Sequence, residues 1–307
     1  MDKSCDGIVL IDKNEGETSF DVVRRVRKFL KIKKVGHAGT LDPFATGLLI
    51  VLLGQGTKLS PYLMSREKKY RATLRLGIET DTQDPTGHVL RKRPVPAFDL
   101  ETIKEHALGF IGEAEQSPPI FSALRYRGKR AYEFARKGIK PDLKKRKVTI
   151  RSLEILSADL PDVTMEVTCS SGTYIRSLAT DLGEKLGPGA HLNALRRLSI
   201  GPFSLQNALN SEEVGLDRPE NVLQDRIIPL REAIPHLKEV QVDDQLAHKI
   251  RNGYQPQWEA LRGRFPLQEV LEGQIKLVEG VALVAIMKVP KQMDHDSADV
   301  EILRVFN

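Results

Sequence analysis

The sequence predicts an α+β fold: a mixed or antiparallel sheet with flanking helices and a basic insertion, then a small β-rich C-terminal unit. Three observations carry this. Strand-like and helix-like patterns alternate irregularly, with hairpin-like connections, and lack the regular βα rhythm of a doubly wound sheet. The run LLIVLL, Leu48 to Leu53, is apolar at every position, as a buried strand is. After Pro229 the texture shifts to short apolar runs broken by glycines, as in GQIKLVEGVALVAIMKV, Gly273 to Val289. A chain of 307 residues, 40% hydrophobic, has the apolar mass for one large or two ordinary domains. The texture change divides it into 1–235 and 236–307.

The elements follow in order. GIVLIDK, Gly7 to Lys13, reads as a short buried strand, and the polar turn NEGETS follows it. Ser19 is placed to cap a helix that carries Val22, Val26, Phe29 and Leu30 on one face. Gly36 to Gly47 reads as a loop, Leu48 to Leu53 as a strand and Thr57 to Met64 as a short helix. In KYRATLRLG, Tyr70, Ala72, Leu74 and Leu76 share one face of a strand, and Arg71, Thr73 and Arg75 the other. Asp99 caps a helix that presents Ile103, Ala107 and Phe110. VTMEVTC, Val163 to Cys169, alternates as a strand, SSGT leads into a helix with Ile175, Leu178, Ala179, Leu182 and Leu186, and Leu195 to Leu205 returns as a strand.

Composition excludes several classes. No apolar run approaches the roughly 18 residues of a membrane span, and the N-terminus, with early acids and no long apolar core, is not a signal peptide. Cys5 and Cys169 lack metal spacing and read as free thiols of a reducing, cytoplasmic compartment. The seven histidines form no HxxxH pair, so zinc is not expected. GQGTK, Gly54 to Lys58, lacks the GxxxxGK[ST] spacing of a phosphate-cradling loop. No cofactor is called for.

Charge is concentrated rather than spread. Leu124 to Lys147 carries eleven Lys/Arg against Glu133 and Asp142, a net +9. Arg24 to Lys34 carries seven and no acid. The whole chain is +6, so the remainder is −10. A charge run is ordinarily a solvated face, but two dense basic patches on an acidic body suit a polyanion. Tyr126, Tyr132 and Phe134 interleave the larger patch, which favours nucleic acid over lipid because aromatic rings stack on bases.

One acid stands out. GHAGTLDPFATGLL, Gly36 to Leu49, sets Asp42 between a Gly/Thr turn and a proline, at the mouth of the apolar run. A loop on a rigid scaffold can hold a reactive carboxylate there, partly desolvated by its apolar neighbours. Taken alone, Asp-Pro is ordinary turn chemistry.

LIDKNEGETSFDVV, GHAGTLDPFATGLL, KYRATLRLG followed by TDTQDPTG, SPPIFSALRYRGKRAYEFARKG and SSGTYIRSLATDLGEKLGPGAHLNALRRLSIGPF occur in that order. Over about residues 7–235 this series resembles the TruB family of tRNA pseudouridine-55 synthases, in its bacterial type. Residues 236–307 are similar in place and size to that family's PUA RNA-binding domain. One departure is Asn14, where the family usually has proline, and a looser turn is expected there.

The resemblance implies isomerisation of uridine to pseudouridine at position 55 of the tRNA T loop, by base flipping and without metal, nucleotide or redox chemistry. Asp42 then matches the family's catalytic aspartate, as nucleophile or as base on the ribose, a choice the sequence leaves open. Arg176 matches the arginine paired with it; otherwise it is a solvated helix residue. Tyr70 matches the tyrosine that stacks on the target base and is a candidate acceptor of the C5 proton; its alternation alone makes it a core aromatic. Tyr174 and Leu195 match positions lining the uridine pocket. His37 matches a histidine that touches the T loop, and Lys13 is expected to position the loop or a phosphate. Ser117 to Val148 matches a basic segment that closes over RNA. The expected partner is tRNA through its T-arm stem-loop, with a monomer, no obligate protein partner and no membrane. Two alternatives stand beside this: a guide-RNA-dependent rRNA pseudouridine synthase, against which the compact length and lack of long basic tails argue, and a non-catalytic RNA-binding or RNA-folding protein, which has no need of Asp42, Tyr70 and Arg176 together.

Overall fold

Two neighbouring apolar strands form the spine of the protein. The computed structural model describes residues 5–122, 124–214, 221–256, 273–289 and 300–307. Strand β1 (Gly7–Lys13) pairs antiparallel along its whole length with β3 (Thr46–Leu53), and β2 (Val35–His37) pairs with the far end of β3. The main sheet continues through β4 (Lys68–Leu76), β5 (Gly112–Gln116), β6 (Arg146–Asp159), β7 (Asp162–Cys169) and β8 (Ala190–Ile200). Its spatial order is β1-β3-β8-β4-β7-β6-β5. The β3–β8 pair is parallel and every other neighbouring pair in that series is antiparallel, so the sheet is mixed.

Strand β3 explains its own sequence. Leu49, Val51 and Leu53 pack with Val22, Val23 and Val26 of helix α1 (Ser19–Phe29). Leu48, Ile50 and Leu52 face the other way, toward Ile234, Val278, Leu283, Ile286 and Phe306. With both faces covered, the strand needs apolar residues throughout rather than alternation. Strand β4 has one face on the core and alternates: Tyr70, Ala72, Leu74 and Leu76 are buried. On its other face Arg71 reaches Glu166 and Arg75 reaches Asp162 across the pair with β7. Helices α2 (Leu100–Leu108) and α3 (Ile175–Leu186) cover the buried face with Ile103, Ala107, Leu178 and Leu182.

A second sheet, β9 (Lys238–Gln241), β10 (Gly273–Glu279), β11 (Ala282–Val289) and β12 (Glu301–Val305), lies in that order. Helix α4 (Asp244–Arg251) packs its Leu246, Ala247 and Ile250 on one side. Val278, Leu283, Ile286 and Phe306 pack on the main body instead. Lys58 ties the two by donating to the Val305 carbonyl (2.6 Å) beneath the Phe306 ring. Residues 257–272 and 290–299 of the expected C-terminal unit lie outside the described residues.

Local chemistry moves three expected boundaries. Thr18, not Ser19, caps α1: Thr18 Oγ1 accepts from Asp21 N, and Asp21 Oδ2 accepts from Thr18 N, a reciprocal capping box. Ser19 is released to bind elsewhere. The expected helix from Thr57 is a 3-10 turn, Gly54–Leu59, followed by a short α-helix, Ser60–Met64, because Pro61 suits a helix start and not an interior. The last strand of the main sheet starts at Ala190 and turns at Gly201–Pro202, so that Phe203–Ser204 pairs back on it.

The basic insertion folds as a hairpin, Arg125–Tyr126 against Lys129–Arg130, joined by Arg127 and Gly128, both with positive φ, and followed by the short helix Ala131–Ala135. Tyr126 and Phe134 meet edge to face at 5.3 Å. Two of the three aromatics expected to stack on bases are thus engaged with each other; Tyr132 is 37% exposed.

The apolar joint between the sheets makes a prediction. Phe306 is 1% exposed, so Phe306→Ala should cost about 3–5 kcal/mol. Denaturant unfolding should show the whole transition shifting; a separate early transition with the main body unmoved would contradict the joint.

Candidate active site

The loop that carries Asp42 is held by buried groups on every side. Asp42 to Ala45 form a β-turn, with Ala45 N donating to Asp42 O (3.0 Å) and Pro43 at its second position. Ser19 Oγ accepts from Leu41 N (2.9 Å) and donates to Leu41 O (3.2 Å), pinning the residue before Asp42 to the start of α1. Arg197, 1% exposed, sends Nε to Leu48 O (2.7 Å) and its terminal nitrogens to Gly39 O (3.1 Å) and Thr40 O (3.5 Å). One guanidinium thereby joins both legs of the loop. Gly47 lets β8 approach this closely: it has φ +102°, and a Cβ there would lie 2.3 Å from Arg197 O.

Lys13 is fully buried, and its ammonium donates to Asn14 O (2.8 Å), Glu17 O (2.7 Å) and Pro43 O (3.2 Å). Burial draws it down to about 8. It positions the loop and does not line the cavity beside Asp42, so the phosphate contact expected of it has no place here. Asn14 does not loosen its turn. Its N–H donates to Ser211 Oγ (3.2 Å), a bond proline cannot make, and its side chain meets Asn210.

Arg176 lies in the first turn of α3, 5% exposed, and is shared between two acids. Its Nε is 3.1 Å from Asp42 Oδ2, a charge contact whose N–H is not aimed for a hydrogen bond. A terminal nitrogen is 3.5 Å from Asp42 Oδ1 and donates to Phe121 O (2.9 Å). The other donates to Thr82 O (2.9 Å) and to Asp84 Oδ2 (3.2 Å). Asp84 is buried, with Oδ1 accepting from Thr82 Oγ1 (2.7 Å), Thr86 N (3.0 Å) and Thr86 Oγ1 (2.6 Å). Asp84 lies in TDTQDPTG, where its only local sequence signal is a turn-forming Asp-Pro-Thr-Gly. A cation at a helix start opposes the helix dipole, and two carboxylates offset that cost.

Burial raises the Asp42 carboxyl above its ordinary value; Arg176 and Lys13 oppose the rise and Asp84 adds to it. Asp42 is nonetheless 36% exposed, to a cavity of about 350 Å³ lined by Leu41, Tyr70, Ser122, Tyr174, Ile175 and Leu195 among others. Tyr70 reaches it from β4, and Arg197 is its cross-strand partner on β8. Burial raises the Tyr70 phenol, while the charge and hydrogen bond of Arg197 draw it down. Gln116, at the end of β5, grips the Tyr174 backbone with both amide atoms, at 2.8 and 2.9 Å. Lys68 floors the cavity, with Nζ on Met64 O (2.7 Å) and Arg66 O (2.6 Å).

Six of the seven residues singled out in the sequence thus surround one loop: Asp42, Tyr70, Tyr174, Arg176 and Leu195 on the cavity, Lys13 beneath it. His37 lies apart, on β2. Its Nδ1 is buried without a hydrogen-bond partner, and burial, then the Arg197 charge, lower its pKa and favour the neutral ring. Arg197 and Lys68 were missed because each is a cation satisfied by carbonyls from distant segments.

Residues 27–175 match the family described as TruB family pseudouridylate synthase (N terminal domain), and 176–234 match the tRNA pseudouridylate synthase B C-terminal domain. The chain belongs to the TruB family. It is 41% identical to the tRNA pseudouridine synthase B of Geobacter sulfurreducens, over 98% of this chain and all of that one. It is 48% identical to the protein of that name from Clostridium kluyveri, over 81% of this chain and 84% of that one. Among solved structures, the TruB-family chain superposes on one titled as a Cbf5-Nop10-Gar1 complex, with TM-score 0.72 and 26% identity over 97% of this chain and 84% of that one. The α+β fold with a mixed sheet is therefore that of the pseudouridine synthases.

The shared arginine predicts how Asp42 titrates. Its 13C carboxyl resonance should report a pKa above the ordinary 3.8. In Asp84→Asn, loss of the second negative charge should lower that value. A carboxyl at or below 3.8 in the native protein would refute the burial argument.

Proposed function

We propose that this protein isomerises uridine to pseudouridine at position 55 of the tRNA T loop, with Asp42 as the reacting carboxylate. The observation that carries the site assignment is the Asp42–Arg176 pair opening onto the same 350 Å³ cavity as Tyr70. That volume suits one nucleoside and not a stacked helix, so the target must leave its stack, at a cost of a few kcal/mol.

The reaction changes connectivity and not composition. The C1′–N1 bond breaks, the uracil turns, a C1′–C5 bond forms, the C5 proton leaves to solvent, and the freed N1 takes one up. Asp42 must be ionised to act either as a nucleophile on the nucleoside or as a base on the ribose. Burial opposes ionisation and the Arg176 charge counters part of that effect. Tyr70 offers a ring for the base to stack on and a phenol near C5; Tyr174 and Leu195 complete the walls. His37, half-buried on β2 at the head of the Asp42 loop, is assigned the T-loop contact. Lys13 contributes by holding the loop.

The tRNA is engaged over a wider surface. Segment Ser117 to Val148 supplies the positive charge that closes over RNA, and the unit at 236–307, read as PUA-like, holds RNA beyond the T arm. Among the described residues no helix is long and apolar enough to cross a membrane; tRNA as substrate is what places the protein in the cytoplasm in this reading, acting as a monomer. Likeness to Cbf5 complexes favours one second reading, a guide-dependent synthase with protein partners. Relatives named tRNA pseudouridine synthase B that match end to end favour the stand-alone enzyme.

Tritium release from a T-arm stem-loop labelled at the C5 of uridine 55, with no guide RNA or second protein, tests the reaction. The native enzyme should release it, and Asp42→Asn should not, while binding the stem-loop within several-fold of native. Release only with guide RNA would install the second reading. Neutralising Lys144, Lys145, Arg146 and Lys147 should weaken tRNA binding and flatten its salt dependence by about one unit of slope per lost phosphate contact. An unchanged slope would remove the insertion from the interface.

A further inference from the structure

We propose that Ser122 is a substrate-binding residue whose hydroxyl donates a hydrogen bond to a ring carbonyl oxygen of the target uracil. This rests on the reading that the Asp42 cavity receives that nucleotide. Ser122 is 4% exposed and lines the cavity, yet its Oγ has no hydrogen-bond partner. The Tyr174 hydroxyl lies close enough to Ser122 to interact with it, but outside the geometry of a full hydrogen bond, so Ser122 keeps its donor for a better-placed acceptor.

A buried hydroxyl left unpaired destabilises the fold that contains it. Such a group is rare in an interior and is expected where a site awaits a ligand. The other buried polar side chains around the cavity are engaged. Lys68 and Arg197 are spent on backbone carbonyls, and Arg176 on Asp42, Asp84, Thr82 O and Phe121 O. Thr173 Oγ1 donates to Ser170 O. Tyr70, Ile175 and Leu195 can enclose a pyrimidine ring, and Asp42 is the reacting carboxylate. Ser122, beside the Tyr174 hydroxyl, is then a buried side chain placed for the polar edge of the base.

Its backbone is also placed with the catalytic pair. The carbonyl of Phe121 accepts from Arg176, and that of Ser122 accepts from Tyr132 N (3.2 Å) in the basic insertion. The guanidinium that touches Asp42 therefore fixes the position from which Ser122 reaches into the cavity, and the insertion holds it from the other side.

The test pairs activity with stability. Ser122→Ala should lower kcat/KM for tritium release from the stem-loop by about five- to tenfold, the worth of one neutral hydrogen bond. Its melting temperature should be unchanged or higher, because the variant deletes an unpaired polar group. Sulfur is a weak acceptor, so the penalty should nearly vanish on a stem-loop carrying either 2-thiouridine or 4-thiouridine at the target, depending on which carbonyl is bound. A penalty that persists undiminished on both analogues would place the hydroxyl elsewhere and overturn the proposal. So would native-like kcat/KM on uridine, or a lower melting temperature with a loss indifferent to the analogues. Asp42→Asn, assayed alongside, separates the failures. If it releases tritium, the cavity is not the site and the functional reading fails. If it is dead while Ser122→Ala matches the native enzyme, only the Ser122 contact fails.

Discussion

The guanidinium of Arg176 is the constraint on which the rest of the site depends. It lies at the buried start of a helix, where the dipole disfavours a cation, and it is kept there by Asp42 and Asp84 together. Asp84 is the fixed partner, held by three hydrogen bonds from Thr82 and Thr86. Asp42 is the free partner, open to the cavity. The asymmetry suits a reacting carboxylate: the cation stays in place whichever state Asp42 occupies. Breaking such a buried set by removing the arginine is expected to cost about 3–5 kcal/mol, because it leaves the buried Asp84 without a counter-charge. The same guanidinium reaches Phe121 O and Thr82 O. Four chain segments therefore meet at one planar group: the Asp42 loop, the TDTQDPTG turn, the root of the insertion and helix α3.

Beneath that group the loop is held by cations that take carbonyls instead of carboxylates. Arg197 joins Gly39, Thr40 and Leu48, and Lys13 takes Pro43, Glu17 and Asn14. A buried charge needs hydrogen bonds or a counterion, and here the backbone oxygens suffice. The outcome is geometric and electrostatic at once. The loop is fixed by its own carbonyls, and among the described residues Arg176 pairs with Asp42 and Asp84 and with no third acid. Lys13 adds a positive field under Asp42 without touching it. The low pKa of Lys13, about 8, marks the strain of holding that charge away from water.

Much of this was legible in the sequence because burial writes itself into pattern. LLIVLL reads as a buried strand since α1 covers one face of β3 and the C-terminal sheet the other. KYRATLRL alternates since only one face of β4 meets the core. Asp42 was legible through the motif around it, and Asp99 as a cap through its place before an amphipathic run. What stayed hidden was tertiary. Asp84 looks like one more turn aspartate until Arg176 arrives from a segment more than ninety positions away. Arg197 looks like a strand-surface cation, and nothing near it in sequence shows that three carbonyls await it. Thr18 took the cap from Ser19 through a contest between adjacent hydroxyls that Asp21 decided. The aromatics of the insertion were legible as aromatics, but not that Tyr126 and Phe134 are spent on each other.

That last pairing bears on how the insertion works. A segment with eleven cations and two acids repels itself and has little apolar content to hold a shape. The edge-to-face ring pair, worth about 0.5–1.5 kcal/mol beyond burial, and the glycine turn at Gly128 give it a local hairpin and helix. Its root is fastened more firmly, by Phe121 O on Arg176 and Gln116 on the Tyr174 backbone. Stability therefore falls from root to tip. The root shares the fixed position of the Asp42–Arg176 pair, while the charged tip is held by its own few contacts. Leu124 and Arg130 of the insertion line the cavity beside Asp42. The insertion is thus joined to the Asp42 site twice, through Phe121 O on Arg176 and through its own residues in the cavity wall.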